Sequence, residues 1–329
     1  MIRRFGTLPG GQEVQAVTIT AGDLSATVLS LGAILQDVRL AGFLHSLTLG
    51  APDLPPYLGP MAFFGAIVGP VANRVGGASA TIGGTVYPLE ANEGGVTTLH
   101  SGTGGTHARL WTVKDHGVDY VNLALELEHL AAGLPGHRHI EALFAVEAPA
   151  TLSLEITATT DSLTAFNFAN HSYWTLDGRK ETAQHRLEVR AERYLPTDAL
   201  SLPERPATLA GTPFDLRKPT PLDPARMDGI DNNYCLSGAR GPLRQAAVLQ
   251  APGGPTLTLE TTEPGLQVYT ATRLQTAPHL GHTGEDYGPF AGVALEAQGW
   301  PDALNNPEFP SILTASSDTY RQITQIRFT

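Results

Sequence analysis

Apolar and polar residues alternate in short runs along the chain, and this period of two predicts β-strands. The clearest runs place an apolar side chain at every second position of residues 121–128, 152–157, 187–191, 257–259, 266–268 and 293–295. Turn-forming pairs such as Gly83-Gly84 and Asp177-Gly178 stand between the runs. Helical periodicity is short, and residues 52–58 predict a single helical turn. The pattern therefore predicts an all-β protein, a large antiparallel β-sandwich or barrel with few short helices.

A single domain spanning residues 1–329 accounts for this pattern. The length of 329 residues exceeds that of an average domain, but all-β sandwiches often run long as single units. The proline-rich stretch 202–206 is the best candidate for a boundary. Strand-like sequence continues on both sides of it without a change in composition, so we expect a surface loop there.

The charge balance of the chain is acidic. Its 32 Asp and Glu residues exceed its 21 Lys and Arg residues, which gives a net charge of −11. No run of basic residues is longer than a pair. Nucleic acids require a cationic face for their phosphates, and anionic membranes would repel an acidic surface. We therefore expect neither a nucleic-acid partner nor a membrane partner.

Cysteine usage and the N-terminal sequence favour a cytoplasmic location. Cys235 is the single cysteine, so no intramolecular disulfide can form. Residues 1–6 lead into polar, glycine-rich sequence without the apolar core of a secretory signal. No stretch approaches the roughly 18 apolar residues of a membrane-spanning helix. These features together predict a soluble, cytoplasmic protein.

The segment 166–174, with the sequence FNFANHSYW, carries the most informative candidate chemistry. As a strand it would place Asn167, His171 and Tyr173 on one face and its two phenylalanines on the other. A histidine among aromatic side chains is a candidate acid or base, because limited access of water shifts the pKa of imidazole across neutral pH. Such a histidine can equally be structural, and this segment alone leaves both interpretations open.

Two further groups of residues allow either a functional or a structural interpretation. Glu296 lies in an apolar strand, where its carboxylate is either exposed on an outer face or buried with a raised pKa. His137 and His139 could present two imidazoles on one face, but no third ligand is evident, so a solvated loop is favoured over a metal site. The Walker A motif, the Gly-x-Ser-x-Gly elbow and zinc-binding cysteine patterns are missing from the sequence.

Eight short segments in order along the chain resemble those of the aldose 1-epimerase (galactose mutarotase) family. They are VGPVANR (68–74), LHSG (99–102), NHSYW (170–174), YLPTD (194–198), GTPFD (211–215), GIDN (229–232), PGLQVYT (264–270) and EAQGWPDALNNPEFP (296–310). The resemblance implies a large antiparallel β-sandwich of the galactose mutarotase type. It also implies an isomerase that needs no cofactor and no metal, and whose partner is a small-molecule monosaccharide such as galactose or glucose.

The resemblance also implies roles for individual residues. Glu296 matches the catalytic base of the family and His171 matches its catalytic acid. The positions that match sugar-contacting residues are Asn73, Arg74, His100, Tyr173, Asp231 and Gln267. Trp174 and Trp300 could offer apolar faces to a pyranose ring, but packing in the core is the more common role of large aromatic residues.

Three positions depart from the family pattern, and three alternative functions remain open at this point. Pro70, Ser101 and Asn232 stand where the family commonly has other residues, and these departures bear on sugar preference more than on the reaction. One alternative is a hexose-6-phosphate epimerase-like enzyme, which would need a cationic grip on the phosphate. The others are a non-catalytic carbohydrate-binding β-sandwich, and a structural β protein whose motifs are accidental.

Overall fold

The computed structural model describes residues 1–225 and 229–329 of the chain; Met227 and Asp228, which begin the motif at 227–234, lie outside the described residues. The strands of the first half are β1 Ile2–Thr7, β2 Glu13–Ala21, β3 Leu24–Leu29, β4 Leu35–Leu40, β5 Ile67–Val68, β6 Arg74–Val75, β7 Ser79–Ile82, β8 Thr85–Pro88, β9 Thr98–Leu99, β10 Thr112–His116, β11 Tyr120–Leu127, β12 Arg138–Glu147 and β13 Thr151–Thr160. The strands that follow are β14 Thr164–Ala165, β15 Ala169–Asn170, β16 Tyr173–Trp174, β17 Arg186–Val189, β18 Arg193–Leu195, β19 Ala207–Thr208, β20 Thr220–Pro221, β21 Asp231–Cys235, β22 Arg244–Gln250, β23 Thr256–Thr261, β24 Gly265–Tyr269, β25 Val293–Gln298, β26 Leu313–Thr314 and β27 Tyr320–Phe328.

Helical structure in the described part of the chain consists of short 3-10 turns. These are Pro55–Leu58, Gly76–Ala78, Gly102–Gly104, Thr106–Ala108 and Ala131–Gly133. The first of them confirms the helical turn predicted within residues 52–58. None of the helices in the described residues is long and apolar enough to cross a membrane.

A nine-stranded antiparallel sheet forms one layer of the fold. Its strand order is β10-β11-β12-β13-β27-β23-β22-β17-β20. The alternating runs at 121–128 and 152–157 lie on β11 and β13, and their apolar side chains are buried while most of their polar neighbours are more accessible. The period of two in the sequence thus corresponds to one face against the core and one face toward solvent.

A six-stranded antiparallel sheet, in the order β16-β25-β24-β21-β18-β19, forms the second layer. Leu266, Val268, Val293 and Leu295 project from it into the same buried cluster as the apolar side chains of β11, β12 and β13. A four-stranded sheet, β1-β2-β3-β4, contributes to this core from its own inner face. The predicted large antiparallel β-sandwich is confirmed.

Strand β25 differs from an ordinary half-buried strand because every residue from Val293 to Gln298 is buried. Its second face is covered by the segments around Leu49, Phe64 and Tyr173, which pack in a cluster with Ala294. Glu296 is therefore 2% exposed. Of the two possibilities left open for this carboxylate, the structure shows the buried one.

The segment 166–174 is extended but is not one continuous strand, so that prediction was wrong in detail. Ala169–Asn170 pairs with β5, whereas Tyr173–Trp174 pairs with β25. The two phenylalanines lie in the main core, as predicted. Asn167 does not share the environment of His171; its side chain accepts the Gly299 N–H at 2.7 Å. The segment therefore pairs first with β5 in a separate two-stranded sheet and then with β25 of the six-stranded sheet.

Both tryptophans weighed as sugar platforms pack inside the protein. Trp174 is 1% exposed and contacts the ring of Phe328 with a centroid distance of 5.9 Å. Trp300 stacks edge-on with Phe309 and donates its indole N–H to the Pro264 carbonyl at 3.0 Å. The interpretation of both residues as core is confirmed.

Candidate active site

A cleft of about 310 Å³, which we call the polar cleft, opens on the face of the six-stranded sheet that points away from the main core. All eight residues singled out in the sequence line it: Asn73, Arg74, His100, His171, Tyr173, Asp231, Gln267 and Glu296. Residues far apart in the chain thus meet at one concave site, which is the usual form of a small-molecule binding pocket.

Three adjacent strands supply the floor of the polar cleft. Gln267 on β24 and Glu296 on β25 lie directly opposite each other in the antiparallel register, so their side chains project from the same face. Asp231 at the start of β21 accepts a 2.7 Å hydrogen bond from the Gln267 amide. Alternation along β24 and β25 places apolar neighbours such as Leu266 and Leu295 in the core beneath. The same period of two therefore builds the core and the site.

A strained loop pair forms the second wall. Asn73 and His100 both have positive φ, 62° and 50°, which is uncommon for residues other than glycine. Their backbones are joined by a hydrogen bond from His100 N to Asn73 O at 3.0 Å. In return, Asn73 N donates to His100 Nδ1 at 3.0 Å. Because Nδ1 accepts this bond, a neutral His100 carries its proton on Nε2, which makes that nitrogen a donor.

His171 and Glu296 form the central pair of the site. His171 Nε2 lies 3.6 Å from Glu296 Oε1, and their side chains are 6% and 3% exposed. Burial lowers the pKa of His171 to about 4. Burial, together with the charge of Asp231, raises the pKa of Glu296 well above its ordinary value, although Arg74 opposes the rise. Both shifts favour the uncharged forms, a protonated carboxyl group beside a neutral imidazole.

The neighbours of this pair are also shifted toward their uncharged forms. Burial lowers the pKa of His100 well below its ordinary value, and the nearby imidazole of His171 adds to the effect. Burial raises the pKa of Tyr173 well above its ordinary value. Burial also raises the pKa of Asp231, although Arg74 and the Gln267 amide oppose the rise. Burial is therefore the main cause of the shifts for His100, Tyr173 and Asp231, as it is for the central pair.

Arg74, the first residue of β6, reaches the cleft while its guanidinium is hydrogen-bonded to the carboxylate of Glu93. Its Nε donates to Glu93 Oε2 at 2.7 Å and its Nη2 to Glu93 Oε1 at 2.9 Å. The remaining nitrogen, Nη1, lies 3.9 Å from Asp231 Oδ2. Burial lowers the pKa of Arg74, but its hydrogen bonds to Glu93 and the charge of Asp231 outweigh this effect, and the net shift is upward. Arg74 is thus a permanent cation with one free edge.

His100, His171 and Glu296 are close enough together to be considered as metal ligands, with one candidate ligand atom from each lying within 4.8 Å of the others. The His100 tautomer opposes this use. Its Nδ1 lone pair already accepts the Asn73 N–H, and its Nε2 carries a proton. A metal ion would have to displace that proton, so the group fits hydrogen-bond donation better than coordination.

Comparison with known proteins identifies the family of this chain. The family description "Aldose 1-epimerase" matches residues 15–327. Galactose mutarotase of Bos taurus is 32% identical over 337 residues, which cover 98% of this chain and 97% of that protein. The chain belongs to the aldose 1-epimerase family. Aldose 1-epimerase of Escherichia coli (strain K12) is 29% identical, with 97% and 96% covered. A solved aldose epimerase homologue from C. elegans superposes with a TM-score of 0.89 at 26% identity, covering 95% of this chain and 98% of that one.

The positions at which this aldose 1-epimerase family member departs from the common pattern do not line the polar cleft. Ser101 Oγ accepts from Val71 N at 3.0 Å and donates to Val71 O at 3.1 Å, so it joins the two loops of this wall to each other. Asn232 donates its side-chain amide to the Leu195 carbonyl. Pro70 precedes Val71 on the same side. The expectation that these departures affect sugar preference has no direct contact to support it.

Several residues of the cleft were missed in the sequence. They are Pro60, Phe63, Phe64, Glu93, Leu99, Tyr269, Arg273, Leu274 and Gln275. The ring of Phe63 lies 4.9 Å from His100 and 6.0 Å from His171, nearly parallel to the latter. Phe64 packs on Tyr173 at 4.7 Å. The two phenylalanines follow Pro60 in an irregular turn, so no periodic signal marked them.

The pair of surface histidines weighed as metal ligands is engaged with carboxylates instead. His137 Nδ1 lies 3.0 Å from Glu128 Oε2. His139 contacts Glu126 and lies 2.9 Å from Glu141 through its Nε2. These contacts join the histidines to carboxylates on or next to β11 and β12, which agrees with the solvated interpretation rather than with a metal site.

Proposed function

We propose that this member of the aldose 1-epimerase family is an isomerase that interconverts the α and β anomers of free aldoses such as galactose and glucose. The observation that carries the proposal is the His171–Glu296 pair, an imidazole and a carboxyl group 3.6 Å apart and buried at the floor of the polar cleft. The family membership and the full-length relatives give the reaction class. The polar cleft gives residues that can perform it.

Anomer exchange requires one proton to leave the C1 hydroxyl and one to reach the ring oxygen. The C1–O5 bond then breaks, C1 becomes an aldehyde carbon and O5 becomes a hydroxyl. Rotation about C1–C2 and closure on the other face of the carbonyl give the second anomer. Glu296 accepts the hydroxyl proton and protonated His171 donates to the ring oxygen, and the roles reverse on closing. Each positioned proton transfer contributes about 10²- to 10⁴-fold.

The proton inventory of the free protein is compatible with these roles. The directions of the two pKa shifts favour a proton on Glu296 and a neutral His171 in the empty cleft. The reactive form, ionised Glu296 with protonated His171, contains the same number of protons. The two forms interconvert when a proton moves between Glu296 Oε1 and His171 Nε2, which lie 3.6 Å apart in the empty cleft and must come closer for the transfer. The sugar hydroxyls then take the place of water around the new charges.

The remaining side chains hold the sugar. His100 Nε2–H and Arg74 Nη1 are donors, suited to the ring oxygen as it gains negative charge during opening. Asp231 accepts from sugar hydroxyls, and Gln267 and Asn73 can donate and accept. Tyr173 and Phe63 flank His171 and limit the access of water to it. This division supports a neutral polyhydroxylated substrate.

The charges of the cleft argue against a sugar phosphate. Of the described residues that line it, Arg74 and Arg273 are the cations, and Arg74 is already paired with Glu93. Glu93, Asp231 and Glu296 bring carboxyl groups to the same space. A purely binding sandwich would have no use for the buried acid and base. A larger cleft of about 800 Å³, lined by Arg39, Asp177 and others, contains neither His171 nor Glu296.

We also propose that residues 1–329 form one domain and that the protein is cytoplasmic. The first is supported by the main core, which draws side chains from β2 near one end of the chain and from β27 near the other. The second is supported by Cys235, a free and half-buried thiol. Limited proteolysis and cell fractionation test the two proposals.

Polarimetry of freshly dissolved sugar tests the function directly. The purified protein should accelerate the approach to rotational equilibrium of α-galactose or α-glucose, compared with buffer alone. The 6-phosphates of both sugars should be poorer substrates at matched concentration. A rate equal to that of buffer for every free aldose would refute the proposal. Tight equilibrium binding without acceleration would instead favour the non-catalytic carbohydrate-binding function.

A further inference from the structure

A turn with two glycines presents Glu93 to the polar cleft. Gly94 and Gly95 both have positive φ, 60° and 71°, and Val96 N donates to Glu93 O at 3.2 Å, as in a type I′ turn. The backbone bridge between Glu93 and Thr97 closes this turn. Thr97 Oγ1 also donates to Glu93 Oε2 at 3.1 Å. The Glu93 carboxylate is therefore held at a fixed position by its own turn.

This fixed carboxylate takes two of the three nitrogens of the Arg74 guanidinium. The paired bonds, Nε to Oε2 and Nη2 to Oε1, form the planar two-point contact that restricts both the position and the rotation of an arginine. The Arg74 side chain is 9% exposed, so few other orientations are open to it. The edge that contains Nη1 is the one that remains toward Asp231.

Glu93 also balances the charge of Arg74. The charged and titratable groups around this guanidinium in the cleft are Glu93, Asp231, Glu296, His100, His171, Tyr173, Tyr269 and Arg273. His100, His171 and Tyr173 are held neutral by burial. Without Glu93, the cation would attract the Asp231 carboxylate, which now accepts from Gln267. It would also act with full strength on Glu296.

We propose that Glu93 is a positioning residue for the reaction: it orients Arg74 so that Nη1 faces the sugar, and it neutralises Arg74 so that Asp231 and Glu296 keep their own roles. The inference rests on the proposed function and concerns the same site. Glu93 touches no reacting atom in this mechanism. Its effect passes through the guanidinium that it holds.

The test compares Glu93→Gln, Glu93→Asp and wild type by polarimetry with galactose from pH 5 to 9. Loss of the Arg74 contact should raise KM by about 10- to 100-fold in Glu93→Gln. The uncompensated cation lowers the pKa of Glu296, so the pH profile of kcat/KM should move to lower pH by about half a unit. Glu93→Asp keeps the charge with a shorter reach, so it should retain the wild-type pH profile while KM rises.

A matched control is Glu155→Gln, which removes the carboxylate of another two-point pair, with Arg321, on the exposed face of β13. It should leave KM and the pH profile unchanged. An unchanged KM and profile in Glu93→Gln, or equal changes in the control, would overturn the proposal. If circular dichroism shows that Glu93→Gln does not fold, Glu93→Asp and Thr97→Val test the proposal instead. Thr97→Val should raise KM by less than the factor expected for Glu93→Gln.

Failure of the positioning role can be separated from failure of the function. A wild-type protein without activity on any aldose refutes the proposed function. An active wild type with indifferent Glu93 variants refutes only the inference. Equilibrium binding of galactose, followed by calorimetry, provides a readout that does not depend on turnover. Binding that is equally tight in wild type and Glu93→Gln would also count against the role of Glu93.

Discussion

Replacing Glu296 with Gln tests the central pair with the smallest structural change. Gln has nearly the same shape and can still hydrogen-bond, but it cannot accept the proton of the C1 hydroxyl. A positioned proton transfer contributes about 10²- to 10⁴-fold, so kcat should fall by that factor. At about 1.36 kcal/mol per tenfold, this is a loss of roughly 3–5 kcal/mol of transition-state stabilisation. Polarimetry with subtraction of the buffer rate measures it.

The same substitution should change stability with the opposite sign. Burial raises the pKa of Glu296 in the folded protein above its ordinary value of 4.5. The stability tied to this group is therefore fully present below pH 4.5 and is lost as the pH rises through the folded-state pKa. Gln does not ionise, so the variant avoids this loss. Above the folded-state pKa, Glu296→Gln should melt at a higher temperature than wild type.

Glu263→Gln is the matched control, because Glu263 is also a fully buried carboxyl group, in the connection between β23 and β24. It lies outside the polar cleft and accepts two hydrogen bonds from Arg240, at 2.5 and 3.1 Å. Gln should cost about 1.5–3 kcal/mol of stability there and leave kcat unchanged. A Glu296→Gln variant that keeps kcat within about tenfold of wild type would refute the assignment of the base.

Three further outcomes follow from the structure. His171 has a folded-state pKa of about 4 against an ordinary value of 6.5. Its contribution to stability is present above pH 6.5 and falls by roughly 3 kcal/mol as the pH drops to 4. Urea unfolding at pH 7 and 4.5 should therefore show a smaller loss of unfolding free energy in His171→Gln than in wild type. The double variant His171→Gln/Glu296→Gln should be about as slow as either single variant in polarimetry, because one proton is passed between the two groups; additive losses would contradict this. Ser101→Ala should lower the unfolding free energy by about 1–3 kcal/mol through its lost bonds to Val71 and leave KM for galactose and glucose unchanged; a changed KM would restore Ser101 as a residue of sugar preference.

The sequence predicted the layers of the fold better than the connections between them. Alternation along β11 and β13 survives in the structure because each strand has one face on the core and one toward solvent. On β25 the side chains still alternate between faces, but loops cover the second face as well and bury Glu296. Nor could alternation show that residues 166–174 pair first with β5 and then with β25, because partner choice depends on segments more than a hundred residues away.

The same distinction applies to the site. The eight matched residues lie in one cleft because the family pattern preserves positions whose distances are set by the fold. Glu93 carried no signal, since its importance lies in a contact with Arg74 that a turn of two left-handed glycines creates. Phe63 and Phe64 were missed for a related reason: their segment has no period, and only the folded chain brings their rings against His171 and Tyr173.

Burial explains why an acid and a base can share one pocket without neutralising each other's usefulness. In water, a carboxyl group with a pKa near 4 and an imidazole with a pKa near 6.5 would both be charged between those two pH values, with water solvating both charges. In the polar cleft, desolvation lowers the pKa of His171 and raises that of Glu296, so both groups are shifted toward their uncharged forms. The ionic form then arises where hydroxyl groups of the substrate can stabilise it. In the proposed mechanism, the cost of burying Glu296 and His171 is the physical origin of their readiness to exchange a proton with the sugar.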